Sequence, residues 1–379
     1  MAEELIDDCL NDPMKWLAEK FELSRGGSGH HVRPMEGLRG FAVFLVFLVH
    51  YVTLVRPWIV EHPALLSLAS MLHTIGNTGV DLFFVLSGYL IYGTLISRPQ
   101  KFRRFMSRRI QRIYPTFSVV FMTYVALSFV FRAESKIPSS SLGAATYLIE
   151  NFLLLPGLFP IEPMITVAWS LSYEMAYYLA IPLLIEMFSM RRRSAMWRVG
   201  FFSIAALLTT AYCAIAGGPV RLIMFMSGIL LYEAIESRRV PAPSGMFAFL
   251  ALFFGLLATL LPMHGSSAIA LKVGILFCAF FVLCLACFSM PLTWLPTAFS
   301  WTPVRWLGNM SYSYYLLHGL ALKAAFLGLA AVLPIANYGS WVFWMLLPIM
   351  FVLTAIPSAI LFLAVERPFS LTPATKPSR

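Results

Sequence analysis

Charged side chains are scarce in this chain. Asp, Glu, Lys and Arg together make up 12% of its 379 residues, whereas hydrophobic residues make up 59%. Soluble globular domains carry about 25% charged residues, so this composition excludes an ordinary soluble enzyme. Apolar stretches of about twenty residues, each long enough to cross a ~30 Å hydrocarbon core, recur along the chain. They lie near 38–56, 79–97, 114–131, 167–189, 199–217, 219–235, 244–263, 269–290, 308–332 and 341–364.

These stretches predict the fold class. We expect an all-α, polytopic integral membrane protein with about ten transmembrane helices. Residues 142–160 are apolar too, but Glu150, Asn151 and two prolines within them favour a lumenal or re-entrant segment over a full crossing.

Cysteine is also rare, and the five cysteines show no metal-ligand spacing. Cys284 and Cys287 lie within one apolar stretch, where packing in the protein core is the simpler explanation. The sequence contains no nucleotide-binding glycine loop and no internal repeat. The first residues lack the basic-then-apolar order of a cleavable signal peptide. We therefore expect neither a metal site nor a disulfide, and no nucleic-acid partner.

The net charge of +10 is explained by membrane topology, because basic residues follow the even-numbered spans. Residues 98–112, for example, hold seven Lys or Arg and no acid. The positive-inside rule then places both termini in the cytoplasm. The expected organisation is a polar cytoplasmic tail over 1–35, a transmembrane domain over 36–368 and a cytoplasmic tail over 369–379.

Asp81 stands inside an apolar stretch, and His50, Glu174 and His318 stand inside three others. Asp81 belongs to the run GVDLFFVLSG at 79–88, which otherwise resembles a membrane helix and ends in Ser87 and Gly88. A carboxylate at the centre of a membrane helix costs roughly 2.5–3.5 kcal/mol, so such residues mark functional sites by default. For His318, a structural hydrogen bond is the competing explanation.

Arg39 and His50 are separated by ten nearly all apolar residues. On one helix they lie about 16–17 Å apart along the axis and on roughly the same face. A guanidinium at the membrane edge suits phosphate groups, and a neutral imidazole deeper in the membrane suits proton abstraction from a hydroxyl. A snorkelling arginine and a hydrogen-bonded core histidine are the alternatives.

Arg109 and Arg112 close the basic stretch, so several guanidiniums can converge at the inner membrane face. Guanidinium groups bind phosphate in a bidentate manner. The ligand is a phosphorylated carrier such as coenzyme A or, alternatively, anionic lipid headgroups. Glu174, about two turns into the fourth span, is expected to lie near an imidazole and orient it.

Six segments in chain order resemble the acyltransferase-3 family of polytopic membrane O-acyltransferases. Two departures are visible: Glu36 stands where the family usually has Asp, and Met175 stands where it often has a second Glu. The matching segments are RPMEGLRG at 33–40 followed by His50, residues 79–91, RRIQRIYP at 108–115, WSLSYEMAYY at 169–178, YSYYLLH at 312–318 and ERPF at 366–369.

The resemblance implies a multi-pass enzyme of a bacterial cytoplasmic (inner) membrane. It would move an acyl group, most often acetyl, from acyl-coenzyme A to a hydroxyl of a cell-surface glycan, a lipid-linked sugar or a secondary metabolite. In the family, the arginine and histidine ten residues apart are the catalytic signature, which here means Arg39 and His50.

The mechanism expected from these residues is direct transfer with His50 as the general base. Asp81 or Glu174 would orient His50, while Arg39, Arg109 and Arg112 would hold the coenzyme A phosphates. A covalent acyl-histidine intermediate, or an acyl-serine intermediate on Ser87, is the alternative route. Glu36, Ser87 and His318 are further candidate site residues.

Two functions from other classes compete with acyl transfer. About ten spans with intramembrane acids are equally natural in a transporter or flippase, but paired Gly/Pro helix breaks and repeated halves are absent from this sequence. A regulatory protein derived from an acyltransferase would have lost a catalytic residue. The signature residues are all present, which favours the enzyme.

Overall fold

A computed structural model describes residues 13–23, 32–290, 292–335 and 338–371. Within these ranges the regular elements are helices, which confirms the predicted all-α class. The first eight are α1 (Pro13–Phe21), α2 (Val32–Leu54), α3 (Pro63–Gly76), α4 (Thr78–Ser97), α5 (Phe102–Val130), α6 (Ser141–Phe152), α7 (Trp169–Met187) and α8 (Ala195–Ala216). They are followed by α9 (Ile223–Ser237), α10 (Gly245–Thr259), α11 (Ser266–Ser289), α12 (Trp294–Phe299), α13 (Thr302–Asn309), α14 (Ser311–Val332), α15 (Trp341–Leu361) and a π-helical segment (Phe362–Leu371).

Seven helices of the described chain are long and apolar enough to cross a membrane, counting α3 with α4 and the π-helical segment with α15. The expected number of about ten is not confirmed. The other three predicted spans fall on α7, α9 and α10; α9 and α10 have 15 residues each, fewer than a straight crossing requires. Of the apolar segment at 142–160, the residues up to Phe152 belong to α6, a helix of 12 residues, and the residues after Phe152 are not helical. The cytoplasmic position of both termini stays a prediction.

Serine caps fix where several helices begin. The side chains of Ser140, Ser194 and Ser244 accept hydrogen bonds from backbone N–H groups three residues later, at 3.2 to 3.3 Å, at the starts of α6, α8 and α10. Each cap satisfies a donor that the first turn of a helix leaves without an intrahelical partner. The loops therefore set the helix starts, while apolar burial decides how the helices pack.

The N-terminal helix α1 docks on the bundle through its last residue and the residue after it. The Phe21 ring stacks on Phe362 of the π-helical segment, with ring centroids 5.6 Å apart. Asn309 donates its side-chain amide to the Phe21 carbonyl at 3.0 Å. Arg305 contacts Glu22 at 3.1 Å and Glu36 of α2 at 3.1 Å. Arg305, which the sequence explains by topology alone, is thus a buried residue that joins three elements.

Two glycines allow α4 and α9 to cross at short range. A Cβ atom added at Gly88 would lie 2.2 Å from the Phe225 carbonyl oxygen, and one added at Gly228 would lie 2.0 Å from the Val85 carbonyl oxygen. Membrane helices commonly use small residues to bring backbones together, because packing replaces the hydrophobic effect between them. This crossing places Ser87, directly before Gly88, at a fixed distance from the neighbouring helices.

We predict that Gly228→Ala separates α4 from α9 and destabilises the protein. Helix propensity alone would make the alanine variant more stable, by about 1 kcal/mol. A net loss of stability would therefore come from the clash of the added Cβ with the backbone of α4, since overpacking costs typically about 1–3 kcal/mol or more. The measurement is thermal unfolding of the purified protein in detergent. Gly274→Ala is the matched control, because nothing lies within 4 Å of its added Cβ. Equal melting temperatures for the two variants would contradict the prediction.

Candidate active site

Two cavities within the bundle contain most of the predicted site residues. We call the first, of about 170 Å³, the arginine cavity, and the second, of about 410 Å³, the histidine cavity. Polar residues of the arginine cavity include Arg39, Ser87, Arg109, Arg112, Glu174 and Tyr178. Polar residues of the histidine cavity include His50, Thr53, Glu134, Lys136 and Lys323.

The arginine cavity brings together the three arginines that the sequence assigns to phosphate binding. Arg39 of α2 donates from Nη2 to the Ser311 hydroxyl at 2.8 Å. The Arg109 guanidinium lies over the Phe105 and Tyr178 rings, 5.3 and 5.5 Å from their centroids. Cation–π contacts of this kind hold a guanidinium in place without neutralising its charge. The cavity therefore presents positive charge from α2 and α5, as anion binding requires.

Arg112 is held by a carboxylate that the sequence singles out only as part of a family motif. Its Nη1 lies 2.7 Å from Oε1 of Glu366, which is fully buried in the π-helical segment. The other Glu366 oxygen accepts from the Ser313 hydroxyl and backbone N–H at 2.6 and 3.0 Å. An acidic residue at the end of the last apolar stretch was the available signal. Glu366 fixes Arg112 at the cavity wall.

Glu174 and Ser87 contact one another in the arginine cavity. The Ser87 hydroxyl donates to Glu174 Oε1 at 2.9 Å, and the Tyr178 hydroxyl donates to the same oxygen at 2.5 Å. Glu174 therefore orients two hydroxyls, whereas the sequence led us to expect it beside an imidazole. A hydroxyl that donates to a carboxylate is also placed to lose its proton, which is relevant to the acyl-serine alternative.

Asp81 is 1% exposed and forms an ion pair with Arg221 across a 3.3 Å distance. Arg221 also donates to the Asn77 carbonyl at 3.2 Å and lies over the Trp169 ring. Asp81 lines neither cavity. The structure thus pairs Asp81 with Arg221 and not with His50. Sequence reasoning missed Arg221, a single basic residue near the start of the apolar stretch at 219–235.

Glu36 likewise lines neither cavity. It is 2% exposed and accepts from Nε of Arg305 at 3.1 Å. The structure therefore places this candidate in the contact between α2 and α13, away from the cavity walls.

His50 lines the histidine cavity together with charged residues from α14 and from the segment after α5. Lys323 pairs with Glu134, and Lys136 lies 3.1 Å from Glu162. The lysines of this cavity are thus matched by carboxylates, as Arg112 is in the arginine cavity. The same helix, α2, supplies Arg39 to one cavity and His50 to the other.

A hydrogen-bonded layer separates the two cavities. The Tyr315 hydroxyl, on the arginine side, donates to the Val167 carbonyl at 2.9 Å and lies 2.7 Å from the Ser170 hydroxyl. Val167 lines the histidine cavity. We call Val167, Ser170 and Tyr315 the dividing layer. His318, one helical turn beyond Tyr315, is fully buried next to His50, with ring centroids 4.9 Å apart.

The arrangement can bind an anion in one cavity and abstract a proton in the next. Among the described residues, no group of three or more His, Cys, Asp or Glu side chains could hold a metal ion. The described side chains of the two cavities offer acid–base, electrostatic and, through Ser87, nucleophilic chemistry.

Comparison with known proteins indicates an acyltransferase. Residues 34–363 match a family described as "Acyltransferase domain". Peptidoglycan O-acetyltransferase OatA of Listeria monocytogenes is 24% identical over 77% of this chain and 49% of its own length. Putative peptidoglycan O-acetyltransferase YrhL of Bacillus subtilis is 25% identical over 89% of this chain and 55% of its own length. Acyltransferase MdmB of Streptomyces mycarofaciens is 26% identical over 76% and 78%.

The chain thus spans about half the length of the two peptidoglycan O-acetyltransferases it matches. No solved structure matches this chain at a significant level.

We predict that Glu366→Ala lowers the free energy of unfolding by about 3–5 kcal/mol, since removing one partner of a buried ion pair strands the other charge. The measurement is thermal or chemical unfolding in detergent micelles. Glu186→Ala is the control: this carboxylate pairs with Arg191 but its side chain is 72% exposed, so its loss should cost less than about 1 kcal/mol. Equal destabilisation by both substitutions would show that burial of the Arg112–Glu366 pair does not increase its contribution to stability.

Proposed function

Because this chain belongs to the acyltransferase domain family matched over residues 34–363, we propose that it transfers an acyl group from acyl-coenzyme A to a hydroxyl. The acyl group we propose is acetyl, and the acceptor is a cell-surface glycan. Two relatives are named as peptidoglycan O-acetyltransferases, which supports this acceptor class. The proposed location is the cytoplasmic membrane of a bacterium, which the chain crosses several times.

One helix, α2, contributes a side chain to each of the two cavities, and this arrangement is the main support for the proposal. Arg39 and His50 lie on α2, the first in an anion-binding cavity and the second in a cavity with a matched set of charges. The diphosphate of coenzyme A would bind Arg39, Arg109 and Arg112, and its pantetheine arm would extend toward the dividing layer. The acceptor hydroxyl would enter the histidine cavity from the opposite side.

In the proposed reaction, a ring nitrogen of His50 accepts the proton of the acceptor hydroxyl as its oxygen attacks the thioester carbonyl. The carbon–sulfur bond then breaks, and the coenzyme A thiolate takes the proton back from the imidazolium. General-base catalysis of this type contributes typically 10²–10⁴-fold to a rate. The reaction requires the thioester carbonyl to lie at the dividing layer, within reach of the acceptor hydroxyl and His50, while the phosphates of coenzyme A stay in the arginine cavity.

A covalent route through Ser87 is supported by the contact between its hydroxyl and Glu174. In that route, Glu174 accepts the serine proton and the acyl group rests on Ser87 before it passes to the acceptor. Rapid quenching followed by mass analysis distinguishes the two routes. An acyl adduct on Ser87 that forms and decays at the turnover rate would show the covalent route and contradict direct transfer.

We predict that inverted membrane vesicles containing the native protein incorporate label from radiolabelled acetyl-coenzyme A, and that vesicles containing His50→Ala at equal level incorporate it at least about 100-fold more slowly. Fractionation into glycans, lipids and small molecules then identifies the acceptor class. His264→Ala is the matched control, because this histidine is exposed and remote from both cavities. Absence of any His50-dependent label, with longer acyl donors also tried, would favour the alternative of a transporter or flippase.

We further predict that Arg109→Ala and Arg112→Ala each raise the apparent Michaelis constant for acyl-coenzyme A by about 10- to 100-fold. A hydrogen bond to a charged group contributes about 1.5–3 kcal/mol, and every 1.4 kcal/mol is a factor of about ten. The exposed Arg239, substituted in the same way, should leave this constant unchanged. Unchanged constants in both cavity variants would assign these arginines to lipid headgroups.

A further inference from the structure

His318 has two ring nitrogens in opposite situations. Nδ1 lies 2.9 Å from the carbonyl oxygens of both Tyr314 and Tyr315. A carbonyl oxygen only accepts hydrogen bonds, so Nδ1 must carry a proton. In the neutral ring, the lone pair is then on Nε2. This nitrogen is buried and has no hydrogen-bond partner among the described residues, a situation that costs about 1–3 kcal/mol for a polar atom inside a protein.

The imidazole beside His318 is that of His50. The two ring planes are inclined at 69°, with centroids 4.9 Å apart. This centroid distance allows two ring nitrogens to come within hydrogen-bond distance when they are turned toward each other. The Tyr314 ring stacks on His318 at 5.4 Å and 10°, which restricts His318 to its present plane. His50 lines a cavity and has space there for its ring to rotate, whereas the His318 ring does not.

The carboxylates expected to orient His50 have other partners. Asp81 pairs with Arg221, and Glu174 accepts from two hydroxyls in the arginine cavity. A carboxylate beside His50 would also need desolvation in the membrane, which costs several kcal/mol per ion. A neutral imidazole with one nitrogen fixed by backbone carbonyls avoids this cost and still offers one directed acceptor.

We propose that His318 is a positioning residue for acyl transfer. Its Nε2 accepts the ring N–H of His50 and so directs the other nitrogen of His50, with its lone pair, toward the acceptor hydroxyl in the histidine cavity. When His50 takes the hydroxyl proton, both of its nitrogens become donors and the bond to His318 stabilises the imidazolium. This inference depends on the proposed role of His50 as the base and adds the group that holds it.

Two substitutions separate the nitrogens of His318. Asparagine places its amide near the position of Nδ1, so His318→Asn keeps a donor for the two carbonyls and removes the acceptor at Nε2. Glutamine reaches the position of Nε2, so His318→Gln keeps an acceptor there and loses the donor. A purely structural histidine would tolerate asparagine better, whereas the proposed role requires the acceptor.

The experiment measures kcat, the Michaelis constant for acyl-coenzyme A and the melting temperature of each variant in lipid nanodiscs. We expect His318→Asn to retain the melting temperature and the Michaelis constant. Its kcat should fall about 10- to 100-fold, as is typical when the hydrogen-bond partner that orients a functional histidine is lost. His318→Gln should recover part of that loss. Native kcat in His318→Asn would overturn the proposal.

A double-mutant cycle shows whether His318 acts through His50. In a His50→Ala background, His318→Asn should cause no further loss, because interdependent residues are not additive. An equal loss in both backgrounds would overturn the proposal. Since every value is a ratio to the native rate, failure of the proposed function appears separately, as absence of transfer by the native protein.

Nitrogen-15 spectra of the histidine-labelled native protein cover the case in which His318 variants do not fold. The proposal requires a protonated Nδ1 and an unprotonated Nε2 at His318, and a shift of the Nε2 resonance in His50→Gln. A proton on Nε2, or a resonance that ignores His50→Gln, would overturn it. His264→Asn provides the control for assignment, because this exposed histidine lies outside the helices, between α10 and α11.

Discussion

The bilayer interior supplies no water to compensate a buried charge, so the protein must supply each counter-charge itself. Four carboxylates of the described chain are almost completely buried, and each lies 2.5 to 3.3 Å from an arginine of another element. These pairs join helices that apolar contacts alone would leave free to slide. They are Glu36–Arg305, Asp81–Arg221, Arg198–Glu233 and Arg112–Glu366.

Against this background of matched charges, the two cavities differ in kind. Glu174 is oriented by hydroxyls instead of an arginine, and Arg109 is held by aromatic faces that leave its charge available. His50 has another imidazole as its neighbour. Cavity side chains are thus held in two ways. Arg112 and the two lysines are paired with carboxylates, whereas Arg109, Glu174 and His50 are held by rings or hydroxyls.

Local sequence patterns predicted the helical class, because hydropathy acts over a few turns, whereas the grouping of Arg39 with Arg109 and Arg112 was expected together with the family resemblance. They did not predict the partner of Asp81, since Arg221 lies 140 residues away and only packing brings it near. Spacing placed Arg39 and His50 on one helical face, yet it could not show that neighbouring helices divide that face between two cavities. Hydropathy also counted α9 as a span, because the apolar stretch at 219–235 does not show that its helix has only 15 residues.

A bacterial membrane stores energy as a proton gradient, and any continuous file of water through a protein would dissipate it. In the dividing layer the Tyr315 hydroxyl donates to the Val167 carbonyl. A carbonyl has no proton to pass on, so a proton relay ends at this point. In the proposed reaction the acyl group passes from sulfur to oxygen at this layer, so acyl transfer would require no open path for ions through the protein.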